Sequence, residues 1–324
     1  MTFHVLVPDS VHPRALDVLT AVDGLTVTAP GQMTRAELLG AVGAANALVI
    51  RSASKIDAEV LAAAPKLHLI ARAGVGVDNV DLEEATRRGI VVVNTPDGNT
   101  ISTAEHTFGL MLALARHIPQ AHQSLSEGKW ERKAFMGVEL RGKTLGIVGF
   151  GRIGRAVAKR ALAFEMQVIA YDPYIPADLA ADLGVELVDL ESIYRRSDFI
   201  TLHTLLTDET REMINRDSIA LMKPSVRIID AARGALVNEA DLAEAIRAGR
   251  VAGAALDVFP QEPPPPDDPL IGLPGVIHTP HLAASTEDAQ IVVAVEAAQL
   301  VVDALLKGDY RNVVNPGALG VRPA

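Results

Sequence analysis

The 324-residue sequence contains no cysteine. That excludes disulfides, thiolate nucleophiles and cysteine-ligated zinc, and it fits a cytoplasmic protein. No uninterrupted apolar run reaches the ~18 residues that a membrane span needs. The N-terminus, Met1-Thr-Phe-His-Val-Leu-Val7, enters strand-like sequence without the basic region, apolar core and cleavage site of a signal peptide. No short period repeats. Charges of one sign are scattered rather than blocked, and the net charge is −10, which argues against nucleic acid or a membrane surface as partner.

Apolar residues are abundant, at 49%, and the length suggests about two domains. The chain is organised around Gly142 to Asp172. Leu145-Gly-Ile-Val148 reads as a buried strand, Gly149-Phe-Gly-Arg-Ile-Gly154 follows at once, and Arg155–Ala163 has helical spacing. A second strand, Gln167–Tyr171, ends at Asp172. This is the dinucleotide fingerprint in its strand–turn–helix–strand setting. Gly149 permits the turn, Gly151 lets a pyrophosphate approach the backbone, and Gly154 lets helix and strand pack closely. The helix N-terminus faces the phosphates. Asp172 accepts hydrogen bonds from ribose hydroxyls and repels a 2′-phosphate, which favours NAD over NADP.

Before this stretch, strands at 3–7, 25–28, 47–50, 68–71 and 90–93 alternate with helices at 13–21, 35–42, 58–64 and 82–88. That pattern gives a small doubly wound parallel sheet. Ser102-Thr-Ala-Glu105 reads as a capping box opening a helix from Thr103 to about His117, ended or bent by Pro119. After Asp172, strands are expected at 199–203, 226–230, 251–258 and 275–278, with helices at 218–222 and 239–248. A last long helix, Thr286 to about Lys307, is long enough to return to the first domain. The expected fold class is α/β with two doubly wound parallel-sheet domains: a Rossmann NAD-binding domain, 98–286, inserted into a flavodoxin-like substrate-binding domain made of 1–97 and 287–324.

Arg233, Glu262 and His281 each follow an expected strand of the second domain. A dehydrogenase acting on a 2-hydroxy acid needs a cation for the carboxylate, and arginine supplies a two-point fork. It needs a base for the hydroxyl proton, and histidine suits that task. A carboxylate behind the histidine fixes its orientation and favours its charged form. Arg233, His281 and Glu262 fill these roles. His278 and His281 flank a proline with no cysteine nearby, so no metal is expected. His4, His12, His68, His106, His117, His122 and His203 read as structural.

These residues resemble a known family. Gly149–Gly154, Ala232-Arg-Gly-Ala235, Asp257-Val-Phe-Pro-Gln-Glu-Pro263 and Pro280-His-Leu-Ala-Ala-Ser285 match, in order, the signatures of the D-isomer-specific 2-hydroxy-acid dehydrogenases. The similarity covers nearly the whole chain. Arg51-Ser-Ala-Ser-Lys55, Ala73–Asp81, Lys129–Lys133 with Phe135-Met-Gly137, and His281–Thr286 are most similar to members that oxidise a phosphorylated 2-hydroxy acid. The resemblance implies NAD in a cleft between two domains, a homodimer built from the nucleotide domains, and Arg233, Glu262 and His281 as the catalytic set. It implies Arg152, Ile153, Asp172, Thr204, Ala231, Asp257 and Ala284 as cofactor neighbours, with Val75 near the nicotinamide. It places substrate at Gly74–Gly76, Arg51 and Ser52, and makes Arg132 and Lys133 candidate phosphate contacts reaching a neighbouring subunit. Two positions depart from common family choices: Val75 where many members have Thr, and Ala283 where many have Gly. Many such members continue into regulatory domains, so the expectation is a short form or a truncated chain. Two readings compete: a glyoxylate or hydroxypyruvate reductase with the same dyad and no phosphate site, and an NAD-sensing corepressor-type binding protein.

Overall fold

The structure, a computed structural model, describes residues 2–321. Met1 and residues 322–324, which the sequence reading assigns to the first domain, lie outside the described residues. The chain divides into two compact units, one formed by the chain up to Asn99 and from Thr286 onward, the other by Thr100–Ser285.

The first unit holds β1 (Phe3–Leu6), β2 (Leu25–Thr28), β3 (Ala47–Ile50), β4 (Leu69–Arg72) and β5 (Val91–Asn94). All pairs are parallel, in the order β2-β1-β3-β4-β5, the flavodoxin-like order. Ala47-Leu-Val-Ile50 is buried along its whole length, as a central strand covered on both faces must be. Edge strand β2 instead alternates between half-buried and exposed positions. Thr34, Asp57 and Asp81 cap the helices Arg35–Ala41, Ala58–Ala62 and Leu82–Arg87 by accepting backbone N–H bonds in the first turn.

The helix Glu287–Val302 continues through a wider turn at Asp303–Lys307. By length and composition it could cross a membrane. Here Val293, Ala294, Ala297, Ala298 and Val301 are buried in one cluster with Ala15, Leu19 and the faces of β1, β3 and β4, so it is a core helix. The chain then returns to β5. Val313 bridges Val93, and the Asn315 side chain accepts the Val92 N–H while donating to the Ile90 carbonyl.

The second unit holds β6 (Thr144–Val148), β7 (Gln167–Tyr171), β8 (Glu186–Leu187), β9 (Phe199–Leu202), β10 (Arg227–Asp230), β11 (Gly253–Leu256) and β12 (Val276–His278). They form one parallel sheet in the order β12-β11-β10-β9-β6-β7-β8. The order reverses between β6 and β9, and ligands bind beyond the strand ends at such a switch point.

Several elements differ from the sequence reading. The helix expected at Thr103 begins at Thr100 and ends at Arg116. Ser102 and Thr103 are buried inside its first turn, so the Ser102–Glu105 spacing is not a cap; burial outweighs the local signal. Pro119 does not end that helix. His117 does, in a left-handed conformation (φ 53°), and Pro119 lies in the first turn of a second helix, Ile118–Ser126, where its missing N–H costs nothing. The nucleotide-loop helix starts at Arg152, ahead of the expected Arg155. The short elements Ala177–Ala181, β8 and Leu190–Arg196 span too few residues for periodicity to reveal them.

Candidate active site

Each glycine after β6 has its own geometric requirement. Gly149 has φ 91°, and a Cβ there would lie 2.6 Å from the His203 carbonyl. A Cβ on Gly154 would lie 2.2 Å from the Gly149 oxygen, so helix and strand can pack this closely only without side chains. A Cβ on Gly151 would meet nothing within 4 Å. Gly151 opens the helix Arg152–Ala163 with no side-chain cap, which leaves the first N–H groups and the positive end of the helix for an anion. Open space over an uncapped N-terminus fits a pyrophosphate. Arg152 is exposed and Ile153 packs on the core beneath.

Asp172 is bound into this loop. Its carboxylate accepts the Phe150 N–H at 2.8 Å and the Tyr174 N–H at 2.9 Å. Thr204 follows β9 with its backbone against Gly149, and Ala231 is buried after β10.

Arg233, Glu262 and His281 follow β10, β11 and β12, three neighbouring parallel strands, and so share one sheet edge. His281 Nδ1 lies 2.7 Å from Glu262 Oε2, while Glu262 Oε1 accepts the Phe259 N–H at 3.1 Å. A carboxylate only accepts, so the neutral imidazole carries its proton on Nδ1 and presents Nε2 as an acceptor. Arg233 donates to the Ala232 carbonyl at 2.6 Å. A Cβ on Gly234 would lie 2.0 Å from the Phe259 backbone, so the arginine turn packs directly on the segment leading to Glu262.

His281 has φ 54°, a conformation uncommon outside glycine. Asp257 holds it there. The Asp257 carbonyl accepts the His281 N–H at 2.8 Å. Its buried carboxylate accepts the Thr279 hydroxyl at 2.5 Å and the N–H groups of Leu282 and Ala283 at 2.8 and 2.9 Å. His106 adds a contact at 3.1 Å. Burial acts to raise the pKa of Asp257, but these hydrogen bonds, led by His106 and Thr279, outweigh it and hold the carboxyl below its ordinary range. Ala284 follows in the same loop, half-buried.

Asp230, at the end of β10, behaves oppositely. Burial pushes its carboxyl up to about 7, against the N–H bonds of Ala232 and Arg233 and the Arg233 charge; the Asp257 charge adds to the rise. Its Oδ2 is buried without a hydrogen-bond partner. Burial also drives His203 down to about 3, so that ring is neutral.

In the first unit, Arg51 and Ser52 follow β3. Arg72 ends β4 directly beside them, since Ile50 pairs with Arg72. The Gly74 N–H donates to Thr95 Oγ1 at 2.7 Å, and a Cβ on Gly74 (φ 143°) would lie 1.4 Å from the Arg72 guanidinium. The Val75 carbonyl accepts Asn94 Nδ2 at 2.6 Å, and Gly76 is half-buried. Arg132 and Lys133 stand elsewhere. They are exposed on the loop before β6, where neighbouring Phe135 borders Ala252 and Gly275, residues that precede β11 and β12. That is the sheet edge opposite to Arg233, Glu262 and His281. Sequence reasoning read His106 as structural and did not single out Arg72. A cation at a parallel strand's carboxyl end could have flagged Arg72; His106 meets Asp257 across 151 residues of chain and carries no local signal.

Comparison with known proteins shows the family. Residues 108–283 match the family model of the D-isomer specific 2-hydroxyacid dehydrogenase, NAD binding domain. The chain is 52% identical over 311 residues to the D-3-phosphoglycerate dehydrogenase of Archaeoglobus fulgidus, covering 96% of this chain and 59% of that protein's length. Among solved structures, a protein from Thermus thermophilus superposes with TM-score 0.87 at 39% identity, covering 96% of this chain and 99% of the other. A D-lactate dehydrogenase from Aquifex aeolicus, complexed with NAD and lactic acid, gives 0.83 at 30% identity, with the same coverage of 96% and 99%. This chain belongs to the D-isomer specific 2-hydroxyacid dehydrogenases and carries their NAD-binding domain.

Proposed function

We propose that this chain oxidises 3-phospho-D-glycerate to 3-phosphohydroxypyruvate with NAD, the first step of phosphorylated serine synthesis. The observation that carries the reading is the His281–Glu262 pair, 2.7 Å apart on the strand-end edge that also presents Arg233. The identity to a D-3-phosphoglycerate dehydrogenase supports the choice of substrate.

Arg233 takes the substrate carboxylate in a two-point contact and polarises the reacting carbon. Nε2 of His281 removes the C2 hydroxyl proton as the alcohol is oxidised. Glu262 keeps the ring oriented through Nδ1 and stabilises the imidazolium that forms. NAD, when bound, supplies the acceptor for the C2 hydride. Gly149–Gly154 and the helix N-terminus hold its pyrophosphate, and Asp172 holds its ribose. The first unit is the substrate-binding domain, with Arg51, Ser52 and the backbone of Gly74–Gly76 meeting the acid's anionic groups. Arg72 shares their edge and joins them.

Arg132 and Lys133 serve the site of a second subunit: they belong to the exposed loop whose Phe135 borders the residues before β11 and β12, at the opposite ends of these strands from Arg233, Glu262 and His281. A homodimer through the second unit accounts for the exposed apolar residues around them: Trp130 is 76% and Met136 81% exposed, with Ile118 and Leu125 also exposed. The test is NAD reduction with 3-phosphoglycerate, run beside NADH oxidation with hydroxypyruvate and glyoxylate. Turnover of the phosphorylated acid supports the reading; activity confined to the unphosphorylated acids overturns the substrate and keeps the chemistry.

A further inference from the structure

The turn after β3 carries Arg51 and Ser52, yet it is neither helix nor strand, and its backbone groups need partners. They find them in two side chains. Asp9, 2% exposed beyond β1, accepts the Arg51 N–H at 2.6 Å, the Ser54 hydroxyl at 2.5 Å and the Ser54 N–H at 3.4 Å. Asn79 works from the other side. Its Nδ2 donates to the Arg51 carbonyl and to the Ser54 carbonyl, both at 2.7 Å.

Asn79 belongs to the loop that begins with Gly74–Gly76. That loop is itself tied down through Thr95 and Asn94. The Asn79 backbone carbonyl also accepts the Ile56 N–H at 2.8 Å, and Ile56 pairs with Val80. One amide therefore joins the Arg51–Ser54 turn to the glycine loop. A carboxylate in its place could make neither bond, since both partners are carbonyl oxygens.

We propose that Asn79 is a positioning residue for substrate: it locks the Arg51 turn to the Gly74–Gly76 loop, so that the groups receiving the acid's anionic ends form one preassembled piece. The inference rests on the assignment of Arg51 to substrate binding. Preassembly matters because a loop ordered before binding need not be ordered at the expense of affinity. Its loss is read in KM for the acid and leaves the nucleotide loop of the second unit untouched.

The experiment compares Asn79→Ala, Asn79→Asp and Arg51→Ala in the full chain, measuring KM for 3-phosphoglycerate, KM for NAD and melting temperature. Asn79→Asp keeps the side-chain shape, so it serves even where the alanine variant folds poorly. Both Asn79 variants are expected to raise KM for 3-phosphoglycerate by roughly 10-fold or more, with KM for NAD changed less than about twofold. If Arg51→Ala raises that KM and the Asn79 variants do not, the positioning role is wrong and the Arg51 assignment stands. If Arg51→Ala leaves it unchanged, both fall. Equal damage to both KM values, tracking a lowered melting temperature, would reduce Asn79 to a structural residue and overturn the proposal.

Discussion

His281 Nδ1 stands 2.7 Å from Glu262 Oε2, and the two residues follow neighbouring parallel strands, β12 and β11. Their side chains meet because Asp257 holds the histidine backbone at φ 54° from beneath. The pair is thus built by two segments at one sheet edge, those that follow β11 and β12.

Replacing His281 by Ala is expected to lower kcat by about 10²–10⁴, the contribution of a positioned general base. Glu262→Gln keeps a hydrogen-bonding group but removes the charge that stabilises the imidazolium, so a smaller loss is expected. Steady-state rates at saturating substrate and NAD check both. Near-normal turnover of the His281 variant would remove it from the mechanism.

The last two glycines of the fingerprint separate folding from binding. A Cβ on Gly154 collides with the Gly149 carbonyl, so Gly154→Ala should destabilise the protein by roughly 1–3 kcal/mol through overpacking. A Cβ on Gly151 meets nothing within 4 Å, so Gly151→Ala should melt like the parent yet bind NAD more weakly. Thermal melts paired with NAD titrations test this. Identical behaviour of the two variants would contradict the geometry.

Asp172 is held by the N–H groups of Phe150 and Tyr174, which aim its carboxylate. Asp172→Ala should lower the kcat/KM preference for NAD over NADP by about 10- to 100-fold. An unchanged preference would mean that another residue reads the ribose.

Burial raises the Asp230 carboxyl from the ordinary 3.8 to about 7. Between those values the folded chain retains a proton that the unfolded chain has released. Asp230 therefore lowers stability as pH rises from about 4 to about 7, with no further change above. Asp230→Asn keeps an acceptor for the Ala232 N–H and cannot ionise. It should match the parent's melting temperature at pH 4 and exceed it at pH 8. The same difference at both pH values would sink the assignment.

Much of the fold is legible in the chain because parallel strands buried on both faces read as short apolar runs, and Ala47–Ile50 and Gln167–Tyr171 have the expected limits. The fingerprint is legible for a stricter reason: Gly154 answers a steric demand inside the strand–turn–helix unit, against the Gly149 carbonyl, and Gly149 takes a φ of 91° that favours glycine, although the His203 backbone it would strike belongs to another strand. Helix limits are harder. Ser102 and Glu105 have cap spacing, but burial of Ser102 and Thr103 draws the helix back to Thr100. Pro119 suits a helix's first turn as well as its end, and only the left-handed His117 decides between them.

By itself the sequence determines the alternation of strands and helices, the nucleotide loop, and the residue types at the strand ends, because each depends on neighbours a few positions away. Tertiary structure alone decides which of those residues share a function. It pairs His281 with Glu262, sets His106 on Asp257, ties Arg51 to Asn79, and brings Phe135 to the residues that precede β11 and β12. These relationships depend on strand order and on side chains meeting across long stretches of chain, and neither periodicity nor spacing records them.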